Sequence, residues 1–159
     1  MTRHPALEPF SRDHNDGLIL ARKALKLAEA EPRQRIAARG ELDEAWERDL
    51  QSHFDSEELL LSEIATPEER ARLHSEHREL EAHFGAVREG DSSAERFKAL
   101  GQALAGHIRW EERELFVAIE ARGTEEQFAR LAQATEEHER SRWEHDPRRR
   151  RLVERRLRR

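Results

Sequence analysis

Cysteine is absent from the 159 residues, which excludes disulfides, thiolate metal sites and cysteine nucleophiles. Tyrosine is absent as well, so there is neither a tyrosinate ligand nor a tyrosyl radical. Val, Ile and Thr, on which strands draw, are few. Seven glycines and five prolines mostly fall where helices would begin or end. No apolar run approaches the roughly 18 residues that span a bilayer. The opening stretch MTRHPALEPFSRDH lacks the apolar segment of a signal peptide. A cytoplasmic protein without a membrane partner is the expectation.

What the chain does have is charge, at 40% of residues against 36% apolar. The apolar residues recur at helical spacing, which separates this composition from that of a disordered chain. The net charge of −5 is unevenly spread. Residues 147–159 hold eight Arg and one Glu, leaving 21 basic and 33 acidic residues, a formal −12, in residues 1–146. The division expected is therefore a helical body, 1–146, and an Arg-rich tail, 147–159. An acidic body argues against nucleic-acid binding. The tail reads first as a solvated counterweight, and second as a contact for an acidic partner.

The periodicity predicts an all-α fold. A first helix is expected from about Phe10 to Ala30, ended by Pro32. A second covers about 33–65, with an expected break near Gly40. Thr66-Pro67-Glu68-Glu69 is a capping box that opens a third, to about Gly90. Ser92 to Glu95 reads as a further capping box, opening a fourth helix that Gly123 stops after Arg122. A shorter fifth carries Phe128 and Leu131 and fades into the tail. Four long helices with short links predict an antiparallel up-down four-helix bundle with a short additional C-terminal helix.

Nine histidines include an internal repeat. His53-Phe-Asp-Ser-Glu57-Glu58-Leu-Leu-Leu61 matches His107-Ile-Arg-Trp-Glu111-Glu112-Arg-Glu-Leu115. Each has Glu at +4 and +5 and Leu at +8, and a +4 spacing sets His and Glu side by side on one helical face. Carboxylates in apolar stripes are costly unless compensated, and a metal ion compensates them. With so many Glu in the chain, one such pair is weak evidence. His4 with Glu8 and His77 with Glu81 share the spacing, and spacing alone leaves metal ligation and simple packing evenly matched. Ferritin-like di-iron sites need Glu-x-x-His, and no His here has Glu three residues before it. The HExxH motif is absent too.

The segment Phe10-Ser-Arg-Asp-His14-Asn-Asp-Gly-Leu-Ile-Leu-Ala resembles the first helix of hemerythrin-like (HHE cation-binding) proteins. His-x3-Glu-Glu at His53, Glu76-His77-Arg-Glu-Leu80, and His-x3-Glu-Glu-x2-Leu-Phe at His107 resemble the rest of that pattern in order, over about residues 10–122. In that family each iron takes histidines from two helices and two carboxylates bridge the pair. The resemblance implies His14 and His53 on one iron, His77 and His107 on the other, and Glu57 and Glu111 as bridges. The implied cofactor is two non-haem iron ions, oxo- or hydroxo-bridged. Oxygen carriers of the family have two histidines four apart on the third helix, and their last carboxylate at +5. Here His74 lies three before His77, turned from it by about 60°. It is a second-tier ligand candidate, expected at the surface. Glu111 is preferred to Glu112 because it matches Glu57 in the repeat.

The function implied is binding of O2 or a related diatomic ligand such as NO, in sensing, storage or iron handling. A small di-iron oxidase or peroxidase is the alternative, ranked lower because no acid–base residue stands out beyond the ligands. A helical interaction module with a basic tail is the third reading. Leu18, Phe54, Leu104, Ile108 and Phe116 are expected as apolar walls, while His4, His83, His138 and His145 are expected elsewhere. In the absence of metal, burial and mutual repulsion are expected to raise the pKa of Glu57 and Glu111 or to loosen the bundle.

Overall fold

The computed structural model describes residues 2–146; the Arg-rich segment 147–159 lies outside them. The described residues are all-helical, with no strand. Helix α1 spans Glu8–Ala28. Helix α2 is continuous through Pro32–Ala45, a π-helical turn Trp46–Leu50 and Gln51–Leu60. Helix α3 spans Pro67–Glu89. Helix α4 is continuous through Ala94–Trp110, a π-helical turn Glu111–Leu115 and Phe116–Arg122. Helix α5 spans Glu125–His145. Among the described residues, no helix is long and apolar enough to cross a membrane.

Local chemistry fixes the boundaries. Thr66 accepts from the Glu69 N–H at 3.2 Å while its own N–H donates to Glu69 Oε2 at 2.8 Å, the reciprocal capping box read from the sequence. Gly90, at φ 119°, ends α3 in a left-handed conformation that disfavours side chains. Arginines satisfy the carbonyls that other helix ends leave open. Arg35 donates to Ala30 O at 2.5 Å, Arg70 to Ala65 O at 2.7 Å and Arg39 to Val87 O at 2.8 Å.

Three expectations are corrected. The second helix does not break at Gly40, which has open space around it and stays helical; the irregularity is the π turn that follows. The α4 cap is Ser93, accepting from Arg96 N–H at 3.2 Å, with no box to Glu95. The fifth helix is as long as α1, at 21 residues.

Two apolar clusters hold the helices. One gathers Trp46, Phe54, Leu80, Phe84, Phe97 and Leu104; the other gathers Leu7, Phe10, Leu61, Leu73, Phe116 and Phe128. Helix α1 runs from the second cluster to the first, α2 returns, α3 goes back and α4 returns again. His14, His53 with Glu57, His77, and His107 with Glu111 interrupt the four stripes where one cluster gives way to the other.

Helices α1 and α4 approach most closely. A Cβ at Gly101 would stand 2.7 Å from Leu25 Cγ and 2.8 Å from the Ala21 carbonyl oxygen, and a backbone oxygen cannot step aside cheaply. Ala21, Ala24 and Ala105 complete this small-residue seam. Gly101→Ala is therefore expected to destabilise the fold by about 1–3 kcal/mol through overpacking. Gly106→Ala, on the same helix with open space around it, should stabilise by up to about 1 kcal/mol. Denaturant midpoints that move the same way for both variants would refute the seam.

Candidate metal centre

Four helices deliver six buried side chains to one level of the fold. His14 comes from α1, His53 and Glu57 from α2, His77 from α3, and His107 and Glu111 from α4. Glu57 and Glu111 are both 0% exposed. Two overlapping groups have ligand atoms within 4.8 Å of one another: His14, His53, Glu57 and Glu111, and Glu57, His77, His107 and Glu111.

Each carboxylate turns one oxygen toward each histidine pair. Glu57 Oε1 lies 2.8 Å from His53 Nε2 and 3.3 Å from His14 Nε2, while Oε2 lies 3.2 Å from His77 Nε2. Glu111 Oε2 lies 3.0 Å from His14 Nε2, and Oε1 lies 3.3 Å from His107 Nε2.

Every inward Nε2 has an outward Nδ1 gripped by a second carboxylate, always from another helix. Asp13 of α1 takes His53 of α2 at 3.2 Å. Glu58 of α2 takes His77 of α3 at 2.7 Å. Glu76 of α3 takes His107 of α4 at 2.7 Å. Glu112 of α4 takes His14 of α1 at 2.6 Å, and the ring closes. A carboxylate on Nδ1 keeps the proton there and leaves the Nε2 lone pair facing inward. Cations back three of these acids. Arg3 meets Glu112 at 2.7 Å, Arg142 meets Asp13 at 3.0 Å and Arg72 meets Glu76 at 2.7 Å. Glu58 meets His74 at 3.1 Å instead.

The donor set fits metal ions. His53 Nε2, Glu57 Oε2 and both Glu111 oxygens are buried and face the opposing groups at 2.8 to 3.3 Å, but not in hydrogen-bonding geometry. His77 Nε2 and His107 Nε2 face each other at 3.1 Å, and two lone pairs at that distance need a cation or a proton between them. Without metal, protons fill that role. Burial opposes charging these rings, but the facing carboxylates outweigh it. His14 is raised to about 12 by Glu111, Glu112 and Glu57. His53 is raised to about 9 by Glu57 and Asp13, and His107 to about 10 by Glu111, Glu76 and Glu57. Burial likewise raises Glu57, yet His53, His14 and His77 hold it well below the usual carboxylate range. The expectation that Glu57 would be raised is thus reversed: the imidazoles around it outweigh burial.

The six sequence-assigned residues come together. His74 does not join them: its side chain is 40% exposed and turned to Glu58. Glu112 serves His14 from outside, as Glu58 serves His77. The outer acids Asp13, Glu58, Glu76 and Glu112 were not assigned from the sequence, though each is the chain neighbour of an inner residue. Phe54 stacks on His77 with centroids 4.2 Å apart, and Phe116 on His14 at 5.5 Å. His4 lies away from the centre, stacked on Phe128 at 3.9 Å with its backbone N–H donating to Glu120 Oε1 at 2.7 Å. His83, His138 and His145 bond Arg96, Ser52 and the Ser141 carbonyl, away from the centre.

Compared with known proteins, the chain matches no family model, no curated protein and no solved structure.

The shifts dictate how stability depends on pH. A histidine raised on folding above its unfolded pKa of about 6.5 contributes fully below that value and loses its contribution as pH climbs through the folded pKa. For His53, His107 and His14 that loss begins near the unfolded value and is complete at about 9, 10 and 12 respectively. Glu57, lowered on folding, contributes above about pH 4.5 and loses its contribution as pH falls. Metal-free protein should therefore melt highest between about pH 4.5 and 6.5 and decline steadily toward pH 10. Metal-loaded protein should not decline between pH 7 and 9, because metal has displaced those protons. A metal-free melting temperature that rises from pH 6 to pH 9 contradicts the assignment.

Proposed function

We propose that this chain is a hemerythrin-like protein that holds two non-haem iron ions in an antiparallel four-helix bundle and binds a small diatomic ligand such as O2 or NO. One observation carries the reading. Four inward Nε2 atoms from four helices pair off around two shared, fully buried carboxylates that offer one oxygen to each pair. A lone structural zinc needs four ligands and no shared carboxylate. The alternating course of α1 to α4 between the two apolar clusters supports the bundle.

Imidazole and carboxylate donors suit iron among the first-row metals. Bound there, two irons would supply open coordination positions and one-electron redox chemistry. The chain's own residues do the rest. The outer acids hold each ring in one orientation, so that the Nε2 lone pairs need no rearrangement to bind. Phe54 and Phe116 cover the rings and keep water from them. A groove of about 320 Å³ between α1 and α2 reaches His53 and offers a route to a small molecule. Among the described residues, no acid–base group faces the centre beyond the ligands and the acids already committed to Nδ1 atoms. That favours ligand binding over turnover as an oxidase or peroxidase.

Metal analysis of protein made with adequate iron is expected to show two irons per chain, and O2 or NO to change its optical spectrum. Metal should also raise the melting temperature, because only the folded chain assembles the site. His53→Ala and His107→Ala should each lose most of the metal, His83→Ala and His138→Ala none, and His74→Ala little. Repeated preparations without metal and without uptake on reconstitution would sink the reading. So would a His83→Ala variant that empties the site while His107→Ala does not.

A further inference from the structure

The two ends of α5 are held in different ways. Phe128 and Leu131 anchor its first half in an apolar cluster, whereas beyond Thr135 no residue of the helix is buried. That half is held by polar contacts: His138 to Ser52 at 3.4 Å, Glu139 to Arg12 at 3.1 Å and Arg142 to Asp13 at 3.0 Å. Trp143 is 49% exposed. A segment with few apolar contacts opens at low free-energy cost.

Of these contacts, Arg142 alone reaches the centre. Its Nη1 and the His53 Nδ1 both donate to one atom, Asp13 Oδ2, at 3.0 and 3.2 Å. Arg142, Asp13 and His53 also line the groove between α1 and α2. The other two arginines behind the ring sit on better-anchored chain. Arg3 lies beside the buried Ala6 and Leu7, and Arg72 lies within α3 beside the buried Leu73.

Resting on the two-metal reading, we propose that the second half of α5 is a latch on the metal position formed by His14 and His53. Arg142 is the positioning residue: it fixes Asp13, which fixes the His53 ring. Seating of the helix end and occupancy of that position are then linked, and linkage is reciprocal. Whatever factor a seated Arg142 adds to metal affinity, bound metal adds to the seating of the helix. The position formed by His77 and His107 is oriented by Glu58 and Glu76 and meets the latch only through the shared Glu57 and Glu111. The metal centre can thereby signal its state to the chain that follows α5.

The test uses the full chain and Co2+ as probe, titrated against a competing chelator and followed by visible absorption. Arg142→Ala should weaken one of the two Co2+ equivalents about tenfold and the other markedly less. Arg142→Lys should restore part of the loss, since the charge remains but the planar fork does not. Arg140→Ala removes the same charge from the same helix, where Arg140 meets Glu136 at 3.5 Å, away from the centre; it should change neither equivalent. Hydrogen exchange of amides 136–146 should slow on Co2+ loading by about the same factor that Arg142→Ala costs in affinity. A wild-type chain that takes up two Co2+ while Arg142→Ala alters neither equivalent overturns the latch and leaves the two-metal reading standing. Equal weakening by Arg140→Ala, or exchange indifferent to Co2+, also overturns the latch. A wild-type chain that takes up no Co2+ overturns both.

Discussion

Two carboxylates sealed from water set the terms for everything around them. Glu57 and Glu111 sit between two apolar clusters with no exposure, and a buried charge must be met where it stands. The structure meets it in alternating layers. Around the pair stand four imidazoles, around those four acids, and around three of the acids stand Arg3, Arg72 and Arg142. Each layer has the sign that the one inside it needs. A small part of the chain's charge is thus organised radially about one point, while the remainder lies at the surface in pairs such as Arg12–Glu139 and Arg48–Glu44.

This arrangement also explains why the helices pack as they do. His14 must reach Glu111 across the interface of α1 and α4, and the seam of Gly101, Ala21, Ala24 and Ala105 lets those two backbones close up. Gly17 admits Ile108 in the same interface, where a Cβ would stand 2.7 Å from Ile108 Cδ1. Helix-end carbonyls, which compete with the acids for donors, are satisfied by other arginines, Arg35, Arg39 and Arg70. That leaves Arg3, Arg72 and Arg142 to the acids of the ring.

Much of this was legible in the sequence, and what was not has physical reasons. The repeat around His53 and His107 exposed the inner residues because a +4 spacing on a helix is a geometric statement. The outer acids were hidden because each serves a ring on another helix: Asp13 and His53 are forty positions apart, and no periodicity connects them. The two π turns were invisible to any reading at constant angular step. They rotate later residues by a fraction of a turn that composition does not announce. The length of α5 was underestimated because its second half has no apolar stripe, and helices without one are not found by periodicity.

The ring of acid–histidine couples runs in one sense, each helix giving an acid to the next and receiving its own histidine's partner from the one before. Every helix from α1 to α4 therefore takes part in two couples at one height. A helix that slid along its axis by a single turn, about 5.4 Å, would break both of its couples at once and draw its histidine out of the centre. Packing opposes the same slip between α1 and α4, where only glycine fits at positions 17 and 101. The relative height of the four helices is thus fixed twice, by the close-packed seam on one side and by a closed circuit of hydrogen bonds that includes every helix.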